Sequence, residues 1–271
     1  MEKTKVSEKN IPYGAREKMP FWYSLAWSSR GVVYAINAVY IGYIVFFCSD
    51  VLGLNAGIIG GILLGSKVID AFTDLGFGYL IDKTNTRFGK ARPYEFFVIL
   101  QWLFTLLMFA APHMDQTLQY VWVFIMYVVV NAVCQTALGG ADAVYVARAF
   151  TTDKNRIKVM SINGVVIYIG SLIFNILMPQ FLSRGGTTQT GWVKLSILLG
   201  IPMIIIGMLR FLFVKEIVVD EPVGTKEEKE KITLKMSLQN IGKNKCVFIL
   251  AGLMFLTNIV NGMGTAQTYY F

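Results

Sequence analysis

The sequence predicts an all-α membrane protein that crosses the bilayer several times. Of its 271 residues, 55% are hydrophobic and only 15% are charged, and the mean hydropathy is +0.54. This composition is too apolar for a soluble domain of the same size. Apolar runs of about 20 residues recur along the chain, which is the length that a helix needs to cross a bilayer. Basic residues are concentrated in every second segment between these runs.

Six complete apolar runs and a seventh, incomplete one are long enough to cross the hydrocarbon core. That core is about 30 Å thick, and a helix rises about 1.5 Å per residue. The predicted spans are 24–49, 57–81, 94–112, 119–145, 158–182 and 193–214, followed by 246–271. The seventh run stops at Phe271 without a following loop, so we expect the sequence to be part of a longer protein.

The polar segments between the runs predict four parts. These are a cytoplasmic tail at 1–20, a six-helix transmembrane bundle at 21–214, a cytoplasmic linker at 215–245 and the truncated first helix of a second bundle at 246–271. The linker mixes both charge signs and is the longest polar segment. Two structures remain open for it, a solvated coil and a short interfacial helix at 233–242.

The distribution of Lys and Arg predicts the orientation, because basic loops are retained on the cytoplasmic side. Segments with four to seven basic residues alternate with segments that have at most one. The basic segments are 1–20, 82–93, 147–158 and 215–245, and the others are 50–56, 113–118 and 183–192. We therefore expect a multi-pass protein of the plasma membrane whose N-terminus is cytoplasmic and whose surroundings are the lipid bilayer.

Several other classes of protein are disfavoured by the same patterns. The net charge of +8 does not indicate a nucleic-acid partner, because the basic residues form short blocks instead of following one face. Cys48, Cys134 and Cys246 lie in or beside apolar runs without the spacing of a metal site, so no cofactor is expected. No Ser, His or Cys context indicates catalysis, so an enzyme is not expected.

The second predicted span contains three ionisable residues, Lys67, Asp70 and Asp74. Spacings of three and four residues place them on one stripe of a helix. An ionisable side chain at the middle of a span costs about 2.5–3.5 kcal/mol, so its presence indicates function. Two carboxylates one turn apart can share a monovalent cation or a proton. The alternative is that Lys67 neutralises one Asp and the group only packs helices, although one carboxylate then stays unpaired.

Three more charged residues lie within or near spans. Asp142, toward the cytoplasmic end of the fourth span, is either buried against the second span or an interfacial residue that reaches water. We expect Arg30 to extend its side chain to the interface, and Glu95 to be interfacial too. Of these three residues, only Asp142 is kept as a candidate for substrate binding.

Neutral polar side chains within spans could form the hydrogen bonds that a polyhydroxylated ligand requires. They are Tyr34, Asn37, Tyr40, Asn131, Gln135, Asn163 and Asn175. Taken singly, such residues more often form hydrogen bonds between helices. We expect Asn37, Tyr34 and Asp70 to meet around one cavity if the first two spans are in contact. The candidate substrate-binding residues are Tyr34, Asn37, Lys67, Asp142 and Asn163.

The segment from Gly78 to Tyr94, GYLIDKTNTRFGKARPY, resembles the signature loop of the major facilitator superfamily. In that superfamily this loop forms a cytoplasmic latch between two helix bundles. The positions that match the latch are Gly78, Asp82, Lys83, Arg87, Gly89, Lys90 and Arg92. With KVIDAFTDLGFGYLID before it, the stretch is similar to the glycoside–pentoside–hexuronide:cation symporters, the group that includes the melibiose permease.

The resemblance implies a twelve-helix fold in which these residues form the N-terminal six-helix bundle and the start of helix seven. The partner bundle would follow this chain. Asp70 and Asp74 match the two acids that hold sodium, lithium or a proton in the family, and Thr73 matches a position that can add a neutral oxygen. The implied function is cation-coupled symport of a glycoside, pentoside or related sugar by alternating access. A superfamily transporter of a lipid or drug, and a membrane receptor or scaffold, remain the alternatives.

The orientation can be tested with reporters that are active on only one side of the membrane. Fusions at Gly53 and Gln116 should report an extracytoplasmic position, and fusions at Asn85 and Glu227 a cytoplasmic one, because the basic segments stay inside. Reporter activity in intact cells measures this, and the opposite pattern at either pair would contradict the orientation.

Overall fold

A computed structural model describes residues 12–217 and Leu253. The chain divides into two units, Met1–Val219 and Asp220–Phe271, and of the second unit only Leu253, a helical residue, is described. Most of the predicted linker at 215–245, the interfacial helix at 233–242 and the rest of the helix at 246–271 therefore lie outside the described residues.

The described part of the first unit forms six long helical segments, and its helical class agrees with the predicted fold. They are α1 (Phe21–Val51), α2 (Ala56–Lys83), α3 (Phe97–Phe109), α4 (Gln116–Ala149), α5 (Asp153–Gly185) and α6 (Gln189–Phe213). Five of these, all except α3, are long and apolar enough to cross a membrane.

The helix α3 differs from the predicted span at 94–112. It has 13 residues and is preceded by a 3-10 helix of five residues, Arg92–Phe96. An α-helix rises about 1.5 Å per residue and a 3-10 helix about 2.0 Å, so the two together are about 30 Å long. The third segment thus matches the thickness of the hydrocarbon core although its α-helical part alone is too short.

Two of the long helices contain π-helical turns that the sequence did not predict. α1 turns at Tyr43 and ends in the π segment Phe47–Val51, and α4 contains the π segment Val129–Gln135. A π turn widens the helix locally and is frequent at functional sites. It therefore changes which face of α4 carries the residues around 131–136.

The helix α1 is central to the bundle. It packs mainly against α5 and α6, while α3 packs against α6 and α4, and α2 packs against α4. The core near one end is aromatic: Tyr40, Phe109 and Trp192 are fully buried, and the Phe109 and Trp192 rings stack with centroids 5.0 Å apart. The Tyr40 hydroxyl also lies 2.7 Å from that of Ser196, so the ring's polar end is hydrogen-bonded, as burial requires.

The described end of the predicted tail, residues 12–20, is packed onto the bundle. The Asn155 side-chain amide in the first turn of α5 donates to the backbone oxygens of Gly14 and Arg16 at 3.2 and 2.9 Å. Lys158 Nζ donates to the Met19 backbone oxygen at 2.9 Å. The start of α1 is therefore fixed against the start of α5.

Candidate functional site

A cleft of about 300 Å³, which we call the polar cleft, lies between α1, α2 and α4. It is lined by Tyr34 of α1, by three residues of α2 (Lys67, Asp70 and Asp74), and by Asn131, Gln135, Thr136, Gly139 and Gly140 of α4. The contact of α2 with α4 brings these polar groups together inside otherwise apolar helices.

The three charged residues predicted from the second span all line this cleft. Lys67 Nζ lies 2.8 Å from Asp70 Oδ2, with the Lys67 side chain 61% exposed and that of Asp70 18% exposed. The other carboxylate oxygen of Asp70, Oδ1, is buried and has no hydrogen-bond partner. Asp74 is exposed at the same cleft. One lysine and two aspartates leave a net charge of −1 and an open oxygen acceptor.

Thr73 is oriented toward its own helix. Its hydroxyl donates to the backbone oxygens of Ile69 and Asp70, at 3.1 and 2.9 Å. Thr73 is not among the residues that line the polar cleft. Thr136 of α4 does line the cleft. Its hydroxyl provides a neutral oxygen on the wall opposite the two acids.

The π segment of α4 carries the amides of the polar cleft. Asn131 donates through its side-chain nitrogen to the Tyr127 backbone oxygen at 3.1 Å, which leaves its side-chain oxygen as an acceptor. The Gln135 side-chain nitrogen is buried without a hydrogen-bond partner. Buried polar atoms are nearly always hydrogen-bonded to protein or to water, so this donor and Asp70 Oδ1 mark a place for a polar ligand.

The candidate substrate residues are only partly brought together. Tyr34 and Lys67 share the polar cleft with Asp70. Asn37 is fully buried outside the cleft lining, donates to Thr105 Oγ1 at 3.0 Å and accepts from the Gln101 amide at 2.9 Å. In this structure it therefore joins α1 to α3 and does not meet Tyr34 and Asp70 around one cavity.

Asn163 lies at the contact of α5 with α1, outside the lining of the polar cleft. A Cβ atom added to Gly31 would be 2.5 Å from the Asn163 side-chain oxygen. The absence of a side chain at Gly31 is what allows the two helices to approach so closely here. In this structure Asn163 therefore occupies a helix–helix contact.

Asp142 belongs to a buried network of four charged groups, which we call the charge quartet. Its Oδ1 atom lies 2.5 Å from Arg30 Nη2 and 2.5 Å from Arg210 Nη2. Glu95 completes the quartet, 3.8 Å from Arg30 Nε and 3.6 Å from Arg210 Nε. The quartet joins α1, the 3-10 turn before α3, α4 and α6, and its formal charges sum to zero.

The quartet corrects two expectations for the charged residues. Arg30 is 3% exposed and Glu95 is 1% exposed, so neither is an interfacial residue that reaches water. Arg30 stays buried because two carboxylates compensate its charge. Its side chain therefore does not need to extend to the interface to reach water. Asp142 is 39% exposed at its side chain, but its carboxylate contacts two arginines and it is not among the residues that line the polar cleft.

Aromatic rings provide the remaining contacts of the quartet. The Arg210 guanidinium lies 3.3 Å from the centre of the Trp27 ring and 4.7 Å from that of Tyr145. Aromatic faces attract cations, and more strongly where water is excluded. Sequence reasoning missed Arg210, because an arginine near the end of an apolar run ordinarily extends to the interface.

The loop between α2 and α3 is held by Glu216, which sequence reasoning also missed. The Glu216 carboxylate accepts hydrogen bonds from the backbone nitrogens of Lys90, Ala91 and Arg92 at 3.0, 2.8 and 2.9 Å. Arg148 Nε of α4 lies 2.6 Å from the same carboxylate. One buried carboxylate thus connects the end of α6, the end of α4 and the predicted latch loop.

The positions that match the latch fall into two groups. Gly89, Lys90 and Arg92 lie at Glu216. Gly89 has φ +117°, and a Cβ atom there would lie within 2.7 Å of the Glu216 carboxylate. The others, Gly78, Asp82, Lys83 and Arg87, are exposed. Lys83 Nζ is 4.5 Å from the centre of the Tyr79 ring, and the Arg87 guanidinium is 4.7 Å from that of Phe88.

Comparison with known proteins decides the family. A family described as MFS/sugar transport protein matches residues 23–271. The chain belongs to this family. The resemblance to glycoside–pentoside–hexuronide:cation symporters is thereby confirmed. The family and the apolar helices also confirm a multi-pass membrane protein.

Curated relatives match most of the chain. The isoprimeverose transporter of Lactiplantibacillus pentosus is 27% identical over 245 residues, which cover 88% of this chain and 48% of the relative. The inner membrane symporter YicJ of Escherichia coli is 28% identical over 247 residues, 84% of this chain and 49% of the relative. The putative glycoside/cation symporter YagG of Escherichia coli is 28% identical over 200 residues, which cover 72% of this chain and 42% of the relative. The chain spans about half the length of the curated relatives it matches.

The charge quartet should be needed for the stability of this sugar transport family member. Arg210→Gln leaves Glu95 buried with one cation fewer, so the free energy of unfolding should fall by about 3–5 kcal/mol. Thermal unfolding in detergent measures this loss. Arg184→Gln, which removes an exposed arginine at the end of α5, is the control and should change stability by less than about 0.5 kcal/mol.

A double variant separates charge compensation from packing. Arg210→Gln combined with Glu95→Gln removes one charge of each sign, so it should be more stable than Arg210→Gln alone. A single variant as stable as the Arg184→Gln control would show that the quartet does not support the fold.

The hydrogen bonds of Glu216 predict that this residue protects the latch loop from proteolysis. In Glu216→Gln an NH2 group replaces one acceptor oxygen and faces backbone N–H donors, so at least one bond is lost. Limited trypsin digestion of the purified protein should then cleave after Lys83, Arg87 and Lys90 several times faster. Asp82→Asn, at an exposed position of the same loop, should leave the rate unchanged, and equal acceleration by both variants would contradict the assignment.

Proposed function

We propose that the protein is a cation-coupled symporter of a glycoside, pentoside or related sugar in the plasma membrane, working by alternating access. The observation that carries the proposal is the polar cleft. It places an open carboxylate oxygen of Asp70 and an unpartnered amide nitrogen of Gln135 in one concave site between membrane-spanning helices. Polar atoms without hydrogen-bond partners cost free energy within a membrane. A ligand that forms hydrogen bonds with them would explain why they are present.

The coupling ion is proposed to bind between Asp70 and Asp74. Sodium and lithium are hard cations that prefer oxygen ligands, as calcium and magnesium do, and the cleft offers two carboxylates and the Thr136 hydroxyl. Lys67 compensates one of the two negative charges. A single monovalent cation, or one proton, would therefore bring the cleft to neutrality, and no further cofactor is needed.

The sugar is proposed to bind on the α4 side of the same cleft. Asn131, Gln135 and Tyr34 supply donors and acceptors on two facing helices, and a polyhydroxylated ligand needs both kinds of group. The names of two relatives, an isoprimeverose transporter and a putative glycoside/cation symporter, support this class of substrate. The polar lining disfavours a lipid as the cargo of this site, because a lipid chain would leave these groups unpartnered.

Binding of the two ligands would be coupled through charge. The cation neutralises the pair of acids and orders the wall on which the sugar binds, so it raises sugar affinity. By thermodynamic reciprocity, the sugar then raises cation affinity by the same factor. Transport needs the second half of the cleft, which a second bundle would provide. Rocking of the two bundles around this central site would expose it to each side of the membrane in turn.

The coupling site is tested by removing one charge at a time. Asp70→Asn and Asp74→Asn nearly preserve volume, so the protein should fold, and sodium or acid pH should no longer increase sugar binding. Lys67→Met removes a competing positive charge and should strengthen cation binding. Sugar affinity, measured against sodium concentration and against pH for the purified full-length protein, gives the result.

The control is Asp153→Asn, an acid whose side chain is 87% exposed at the start of α5, and it should keep normal cation dependence. Full cation dependence in both cleft variants would show that Asp70 and Asp74 are structural. Loss of cation dependence in the control as well would show that the assay reports a general effect of negative charge.

A further inference from the structure

A second cleft, of about 390 Å³, lies on the other side of α1, between α1, α5 and α6. We call it the apolar groove. Its walls include Trp22, Leu25 and Val32 of α1, Val166 of α5, and Leu209 and Phe213 of α6. Ser29 is the polar side chain among its lining residues, and its hydroxyl donates to the Ala26 backbone oxygen of its own helix at 2.8 Å. The groove therefore offers an apolar ligand a surface without unsatisfied polar groups.

The length of the apolar groove matches one leaflet of a bilayer. Trp22 is in the first turn of α1, and Val32 lies ten residues further along, a rise of about 15 Å. The hydrocarbon core is about 30 Å thick, so the groove extends about half-way across it. Its end is marked by the rings of Trp22 and Phe213, whose centroids are 6.1 Å apart.

The mouth of the groove is aromatic, in the manner of a membrane interface. The Trp22 ring contacts the Tyr13 and Tyr23 rings, with centroids 5.2 and 5.6 Å away. Tryptophan and tyrosine are enriched where headgroups meet the hydrocarbon core. The apolar groove thus begins at the depth of the lipid headgroups.

Basic residues surround this mouth. The Arg16 guanidinium lies 4.1 Å from the centre of the Tyr13 ring, and Lys158 Nζ is 2.9 Å from the Met19 backbone oxygen. Lys18 is exposed one residue before Met19, and Lys215 is exposed two residues after Phe213. Two acidic residues are next to these cations in the chain, Glu17 and Glu216. The Glu216 carboxylate is already bound by Arg148 and by three backbone nitrogens of the latch loop, so the mouth keeps an excess of positive charge.

We propose that the apolar groove binds one acyl chain of an anionic phospholipid, whose phosphate is held by Arg16, Lys18, Lys158 and Lys215. Basic pockets between transmembrane helices recognise anionic headgroups, and each Lys or Arg near a membrane surface contributes about 1 kcal/mol. The apolar wall holds the chain and the basic mouth selects the headgroup. This site does not involve the residues of the polar cleft.

The test is lipid retention by the purified full-length protein in detergent, measured by native mass spectrometry with phosphatidylglycerol and phosphatidylcholine of identical chains. The wild type should retain phosphatidylglycerol more strongly. Lys18→Gln with Lys215→Gln should weaken the binding of phosphatidylglycerol about fivefold per lysine, which corresponds to about 1 kcal/mol each. Binding of phosphatidylcholine should fall much less, because its choline cation offsets the charge of the phosphate. Both side chains are exposed, so folding should not be affected.

A matched pair of variants tests the groove itself. Val166→Trp fills the groove from α5 and should reduce retention of both lipids. Val165→Trp places the same ring at the adjacent position, which is 58% exposed and outside the groove lining, and should have no effect. Equal retention of the two lipids by the wild type, or equal effects of the two tryptophans, would overturn the proposal.

Discussion

The charge quartet is the constraint on which the arrangement of the bundle depends. Arg30, Glu95, Asp142 and Arg210 come from four separate parts of the chain, and removal of any one leaves an uncompensated charge away from water. Such a charge costs several kcal/mol, more than most single contacts contribute. The quartet therefore fixes α4 against α1 and α6, and the wall of the polar cleft on α4 is positioned as a result.

The polar cleft follows from this arrangement and from one local irregularity. With α4 fixed, its π segment turns Asn131 and Gln135 toward the acids of α2. The two charged sites then differ in kind. The quartet is balanced, and three of its four side chains are buried, whereas Lys67, Asp70 and Asp74 are unbalanced and line a cleft at which Lys67 and Asp74 are exposed. Balanced buried charges stabilise a structure once formed, and unbalanced accessible ones are suited to binding an ion.

Much of the fold could be predicted from the sequence because bilayer thickness sets helix length. The acids of α2 could be predicted too, since their spacing places them on one helical face. The pairing of Arg30 and Glu95 could not be predicted, because it also involves Arg210, which lies far away in the chain. The π segment of α4 and the end of α3 at Phe109 also lay beyond prediction, since hydropathy measures how apolar a run is and not the hydrogen-bond pattern inside it.

Glu216 has a consequence for the order in which the bundle is made. The backbone nitrogens that it holds lie 124 to 126 residues earlier in the chain, and they belong to a loop that leaves the ribosome before α3. During synthesis the backbone nitrogens of this loop lack the Glu216 carboxylate until α6 has been inserted. The pair of Arg30 and Glu95 likewise lacks Arg210 until the end of α6 has been made. The last helix of this bundle to emerge is thus the one that closes it, and a nascent chain that stalls before α6 holds Glu95 and Asp142 in the membrane with only Arg30 to compensate them.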